Sequence, residues 1–212
     1  MAPIEYFSGT EKGMRDRNED SLLAMAIGPF YLFAVAEGFG GSKEGPAPGA
    51  IAISAIEKLS GKTWKTPGEL LEGALIRADE EIFQYQMANP GCEAMAAAIA
   101  VVVVGPDGSC AVSSAGDRRV RFVKDGVNDQ AKNPLEEPDP NFYETRLDPG
   151  MSLLLCSDGL YDFVDEERIL TVIRDHTDDL AGACRKLMSQ AFQNGSDDNI
   201  TTVLVRHSPD PA

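Results

Sequence analysis

The stretch Ala94–Ala115, AMAAAIAVVVVGPDGSCAVSSA, decides the fold. A continuous valine-rich run ends at Gly105-Pro106-Asp107-Gly108, and a second run of small and β-branched residues follows at once. Two β-prone runs separated by a short Pro/Gly/Asp turn read as a hairpin, so Ala94–Val104 and Ser109–Ala115 are expected as neighbouring antiparallel strands. The same grammar extends outward in both directions. Ser21–Ile27 and Tyr31–Ala36 flank the Gly28-Pro29 turn, Arg118–Lys124 ends at Asp125-Gly126, Met151–Cys156 is too short for a helix, and Asn199–Arg206 carries β-branched residues. Hairpins with helices set between them, rather than alternating strand and helix, predict an antiparallel α+β fold.

Three helices are expected. Thr66 can cap a helix with Pro67 at its first position and Glu69 closing a capping box, after which Leu71, Ala74, Leu75, Ala78, Ile82 and Tyr85 share one face. A second starts after Thr177 and carries Leu180, Cys184, Leu187, Met188 and Ala191 at spacings of three and four. The third lies near Pro46–Leu59, its start interrupted by Pro48 and Gly49. Gly126–Pro149, rich in Pro, Asn and Asp, is expected to be irregular, and Ser208–Ala212 to be a disordered tail. With 212 residues, 43% of them apolar, one domain over 1–207 is the expectation. A core of that size needs neither disulfides nor a structural metal.

Charge and composition exclude several functions. Thirty-four acidic against 19 basic residues leave a net charge of −15, a field that repels phosphate backbones and anionic membranes. No nucleic-acid partner and no membrane association are expected. The longest apolar run, Ala94–Val104, falls short of the ~18 residues that cross a bilayer, and the opening residues lack a basic and apolar leader, which suggests a cytoplasmic protein. Cys92, Cys110, Cys156 and Cys184 form no Cys-x-x-Cys pair and read as buried small residues. Only His176 and His207 are present, so a multi-histidine zinc site is excluded and neither histidine is expected to be catalytic. Trp64 reads as a loop anchor packed before the first capped helix.

The chemistry must therefore rest on carboxylates, and these stand at strand ends. Glu19 and Asp20 precede one apolar strand, Glu37-Gly38 follows the next, Asp117 follows Cys110–Ala115, Asp158-Gly159 follows Leu153–Cys156, and Asp197-Asp198 precedes the last strand. Acidic residues beside glycine are ordinary turn chemistry one at a time. Several brought together need a cation, and oxygen ligands select hard ions such as Mg²⁺ or Mn²⁺. The run Gly38–Lys43 is not a nucleotide loop, because Lys43 lacks the spacing and the following Ser or Thr of a P-loop.

Five segments, in order, resemble the metal-dependent serine/threonine phosphatases of the 2C class (PPM), which include the stage II sporulation E-type enzymes. Gly13–Asp20 is similar to G-x-R-x-x-N-E-D, Ala34–Gly41 to V-A-D-G-x-G-G, Ala115–Arg119 to G-D-S-R, Pro149–Leu160 to the L-L-L-C-S-D-G-L strand and turn, and Ser196–Thr201 to the closing D-N-I-T. The resemblance runs from about Gly9 to Arg206. It implies a four-layer αββα sandwich, two packed antiparallel β-sheets flanked by helix pairs. It also implies two divalent cations, Mn²⁺ or Mg²⁺, bridged by Glu37 with the Gly38 carbonyl, completed by Glu19, Asp158 and Asp198 partly through waters. Asp117 would serve a third, weaker ion, Arg15 would hold substrate phosphate, and Asp20 would support its turn.

The sequence departs from the family pattern at four places. Glu37 replaces the bridging Asp, so either the ions shift or the site holds them poorly. Ala96-Ala97-Ala98 replaces G-T-T, Phe39 stands where some members have His, and the flap region between Gly126 and Pro149 is short and lacks a D-H-S-like element. The implied activity is hydrolysis of phosphoserine or phosphothreonine in a protein substrate by metal-activated water. The alternative is a catalytically weak or inactive relative that binds a phosphoprotein or a regulatory partner.

Overall fold

The computed structural model describes residues 4–40, 47–115, 119–124 and 142–208. Among the described residues nine strands form two antiparallel sheets. The first contains β1 (Ile4–Glu11), β9 (Ile200–His207), β8 (Met151–Cys156) and β6 (Arg119–Lys124), in that spatial order. The second contains β2 (Asp20–Ile27), β3 (Phe30–Phe39), β4 (Ala96–Val104), β5 (Ser109–Ala115) and β7 (Tyr143–Arg146). The 94–115 segment forms the expected hairpin, with Val104 paired to Cys110 and Ile99 to Ala115.

Alternation along each strand feeds three apolar layers. Phe33, Val35, Ala100, Val102 and Val112 of one sheet meet Leu153, Leu155, Val203 and Val205 of the other. The opposite face of the second sheet, with Leu32, Ala34, Ile99 and Val101, packs under α1 (Pro48–Glu57) and α2 (Pro67–Ala88) through Ile53, Ile56, Leu70, Leu71 and Ala74. The outer face of the first sheet, with Leu154, Cys156 and Leu204, packs under α4 (Glu166–Asp175) and α5 (Leu180–Gln193) through Ile169, Val172, Cys184 and Leu187. Strands buried on both faces are continuously apolar, which is why β4 and β8 read as unbroken runs. The result is the four-layer αββα sandwich.

Several expectations need correction. β1 was not foreseen, because an edge strand with Glu5, Tyr6, Thr10 and Glu11 exposed shows no apolar alternation. β7 lies within the stretch expected to be irregular, a four-residue edge strand paired to β5; residues 126–141 of that stretch lie outside the described residues. The single turn α3 (Asp158–Tyr161) was also missed, and α4, whose Ile169, Val172 and Ile173 have helical spacing, is additional to the three helices set out above. Ser208 is held by a hydrogen bond from its Oγ to Glu5 Oε1 at 3.0 Å, while 209–212 lie outside the described residues.

Side-chain caps start α2 and α5. Thr66 Oγ1 accepts from the Glu69 amide at 3.1 Å, as expected, but Glu69 reaches back to the Lys65 amide (2.8 Å) instead of to the cap residue itself. Trp64 lies across Gly73 of α2 at the margin of that helix's core, the expected anchor. All four cysteines are buried, and none is in a disulfide. Burial pushes the Cys110 thiol up to about 12 and that of Cys184 to about 11, so neither is a thiolate nucleophile at neutral pH. His207 Nδ1–H donates to Leu147 O at 2.6 Å and His176 Nδ1–H to Val172 O at 2.9 Å, which gives both rings structural partners. No described helix is long and apolar enough to cross a membrane.

α5 is capped by Asp179, not by Thr177: Asp179 Oδ1 accepts from the Gly182 amide at 2.7 Å. Asp179→Ala is therefore expected to cost about 1 kcal/mol, read as a lower urea midpoint at unchanged slope, and Thr177→Ala less than about 0.5 kcal/mol. Equal effects of the two would return the cap to Thr177.

Candidate active site

The two sheets meet at one end of the sandwich through polar rather than apolar side chains. Asp20 lies directly opposite Glu37 across the β2–β3 ladder, and Glu37 directly opposite Ala98 across β3–β4. Strand alternation places Asp20 and Glu37 on the face that carries Val35 and Phe33, the face turned toward the other sheet. Asp20 is buried, and its Oδ2 accepts from Thr201 Oγ1 of β9 at 2.7 Å. Gly38, also buried, pairs with Ala97 and lies against Pro48 at the start of α1.

Asn199 connects this end to the segment between β1 and β2. Its Oδ1 accepts from the Glu19 amide at 2.8 Å, and its Nδ2 donates to Lys12 O (2.8 Å) and Arg17 O (2.9 Å). The approach is close enough that a side chain at Gly13, which has φ +60°, would collide with the Asp198 carbonyl. Arg15 is thereby brought onto the other side of the cleft, donating through Nη2 to Asp198 Oδ2 at 2.8 Å and through Nε to Asp197 O at 3.1 Å.

Asp158 arrives from β8. The Ser157 amide donates to Thr201 O (3.1 Å), Ser157 Oγ accepts from the Thr201 amide (2.9 Å), and a Cβ on Gly159 would strike the Asn199 carbonyl. This locks the β8 end against the β9 start. Each aspartate is aimed by an adjacent amide: Gly159 N–H donates to Asp158 Oδ1 at 2.9 Å, and Asn199 N–H to Asp198 Oδ1 at 2.7 Å.

Of the residues expected at the site, Arg15, Glu19, Glu37, Gly38, Asp158 and Asp198 belong to segments that meet at this end; Asp117 lies outside the described residues. The Arg15–Asp198 pair was not foreseen, because it joins residues 183 positions apart. The connecting residues Thr10, Ser157, Asn199 and Thr201 were missed as site residues, although Asn199 and Thr201 lie inside the closing motif. Among the described residues no three His, Cys, Asp or Glu side chains converge closely enough to enclose an ion by themselves. The donor set is nevertheless all oxygen, with two acids opposed across a ladder where like charges repel, and this chemistry fits a hard divalent cation that keeps part of its water shell.

Comparison with known proteins gives the same picture. A family model described as "Protein phosphatase 2C" matches residues 128–200. The serine/threonine protein phosphatase PstP of Mycobacterium tuberculosis is 25% identical over an alignment of 237 positions, which takes in 95% of this chain and 44% of that protein. Over these stretches the chain is similar to proteins of the protein phosphatase 2C family. A probable protein phosphatase 2C of Arabidopsis thaliana is 43% identical over 75 residues, 35% of this chain and 24% of that protein. The chain thus spans less than half the length of these curated relatives. Among solved structures, Mycobacterium tuberculosis PstP superposes with a TM-score of 0.81 at 22% identity over 97% of this chain and 99% of that one. A PstP catalytic domain in complex with two manganese ions gives 0.81 at 23% identity, over 96% and 97%. These likenesses show the protein phosphatase 2C fold.

The Asn199 carboxamide uses one acceptor and two donors at once, which no other side chain of its size reproduces. Asn199→Asp is expected to destabilise the protein by about 2–4 kcal/mol, because a carboxylate has no proton to offer Lys12 O and Arg17 O. Equilibrium denaturation that finds Asn199→Asp as stable as the parent would refute this.

Proposed function

We propose that the chain is a metal-dependent protein serine/threonine phosphatase, and the observation that carries this reading is the meeting at one end of the sandwich of the segments that bear the Asp20–Glu37 pair, Asp158, Asp198 and the Arg15 guanidinium. Glu37 would hold two divalent cations, Mn²⁺ or Mg²⁺, with the Gly38 carbonyl. Glu19, Asp158 and Asp198 would reach them partly through water, and Asp117 would serve a third, weaker position. Bound cations supply Lewis acidity there, lowering the pKa of adjacent water and balancing charge on phosphoryl oxygens.

The chain's own residues do the rest. Arg15, 55% exposed at its side chain, keeps a planar fork at the cleft that suits two phosphate oxygens once it leaves Asp198. The amides of Gly159 and Asn199 hold Asp158 and Asp198 in single orientations, so the site is aimed before substrate arrives. Phe39 is exposed beside Gly38 and has no proton to offer a leaving alkoxide, which leaves that proton to water. The partner class is a phosphorylated protein. A non-catalytic phosphoprotein-binding role is the second reading, favoured by Glu37, whose extra methylene alters the reach of the bridging carboxylate.

Mn²⁺-dependent hydrolysis of a small aryl phosphate is the first test, since that substrate needs no protein recognition surface. Asp158→Asn is expected to lose an ion by calorimetry and about 10²-fold or more in rate. Unchanged stoichiometry would remove Asp158 from the site. Arg15→Ala is expected to keep Mn²⁺ binding while raising KM or lowering kcat. Glu37→Asp separates the two readings: an active parent whose rate falls or holds in the variant supports catalysis, whereas an inert parent that gains turnover supports the binding role.

A further inference from the structure

Four side chains at the mouth of the sandwich close a ring of hydrogen bonds that returns to the residue where it starts. The Asp20 amide donates to Asn18 Oδ1 at 3.2 Å, which orients the Asn18 carboxamide and turns its Nδ2 toward Thr10 Oγ1, 2.9 Å away. Thr10 Oγ1 and Thr201 Oγ1 are 2.7 Å apart, and Thr201 Oγ1 is 2.7 Å from Asp20 Oδ2. A carboxylate only accepts, so the Thr201 hydroxyl donates to Asp20. The Thr10 hydroxyl must then donate to Thr201 while accepting from Asn18. Every proton in the ring has one direction, and bonds aligned in series strengthen one another.

The ring spans both sheets. Thr10 and Thr201 are direct partners in the β1–β9 ladder, as Asp20 and Glu37 are in the β2–β3 ladder. Two acids so opposed push each other apart, and Asp20 is the buried member. We propose that Thr10 and Thr201 are positioning residues for cation binding, holding the Asp20 carboxylate beside Glu37 so that the pair presents its oxygens together. This rests on the reading of Glu37 as an ion ligand. It assigns work to two hydroxyls that never touch the ion.

The test is Mn²⁺ titration by calorimetry on the full chain and on Thr201→Val, Thr201→Ser and Thr10→Val, with melting curves taken with and without added Mn²⁺. Both valine variants are expected to bind Mn²⁺ at least tenfold more weakly, the scale on which partners behind metal ligands act. They should also gain less in Tm from the ion, and Thr201→Ser should bind within about twofold of the parent. A clasp that only joins the sheets would lower Tm without added ion and leave the Mn²⁺ affinity unchanged, which would overturn the proposal. So would Thr201→Ser binding as weakly as Thr201→Val, since the lost methyl packing would then be the cause. If Thr201→Val does not fold, Thr10→Val on the edge strand decides alone, and parent-like Mn²⁺ binding there overturns the proposal. A parent that binds no Mn²⁺ overturns the ion site itself, a result distinct from variants that match a binding parent.

Discussion

One carboxamide governs the geometry of the cleft. Asn199 is 4% exposed and bonds to three backbone groups of the segment between β1 and β2, at Lys12, Arg17 and Glu19. That segment has no regular structure of its own, and its residues from Met14 to Glu19 are exposed. Backbone order costs roughly 1–2 kcal/mol per residue, and a solvated loop has few apolar contacts to offset it. Asn199 supplies bonds from a buried side chain, whose polar atoms would be costly to leave unpaired. Arg15 and Glu19 are therefore located by a side chain far away in sequence, through bonds whose separations are 180, 182 and 187 positions.

The sandwich explains why acidic groups gather where they do. Apolar side chains fill the space between the sheets along Phe33, Val35, Val102, Leu155 and Val203, and the filling gives way at the mouth to Thr10, Asp20, Glu37, Ser157 and Thr201. A carboxylate there has a low-dielectric wall behind it and water in front, a setting in which charge interactions exceed those on an open surface. The residue opposite Glu37 is the small Ala98.

Much of this was readable from residue order. Runs such as Val101–Val104 and Leu153–Leu155 declare strands buried on both sides, and Asp-Gly or Gly-Pro punctuation declares hairpins, because both signals are local. β1 and β7 were hidden because edge strands are held by ladder bonds to β9 and β5, and those leave no mark on hydropathy. The acidic residues were visible as a set, and the motifs of the family supplied their order. The partners that aim them were not: Thr10 meets Thr201 only through a ladder between the two ends of the described chain, and the pull of Asp198 on Arg15 depends on the same closure. Periodicity carries the layers, whereas the polar joints are properties of tertiary contact alone.

The position of β9 within the first sheet bears on when the cleft can exist at all. It lies between β1 and β8, contributes Thr201 to the inter-sheet joint, and is preceded by the Asp198-Asn199 pair that locates Arg15 and Glu19. Each of those contacts joins early residues to the last strand in the described order. A chain emerging from the ribosome can close the β2 to β5 meander and dock α1 and α2 well before β9 appears, yet it holds none of the joints that assemble the cleft. Assembly of this end of the sandwich thus waits for residues 198–201, together with the pairing of β9 between β1 and β8.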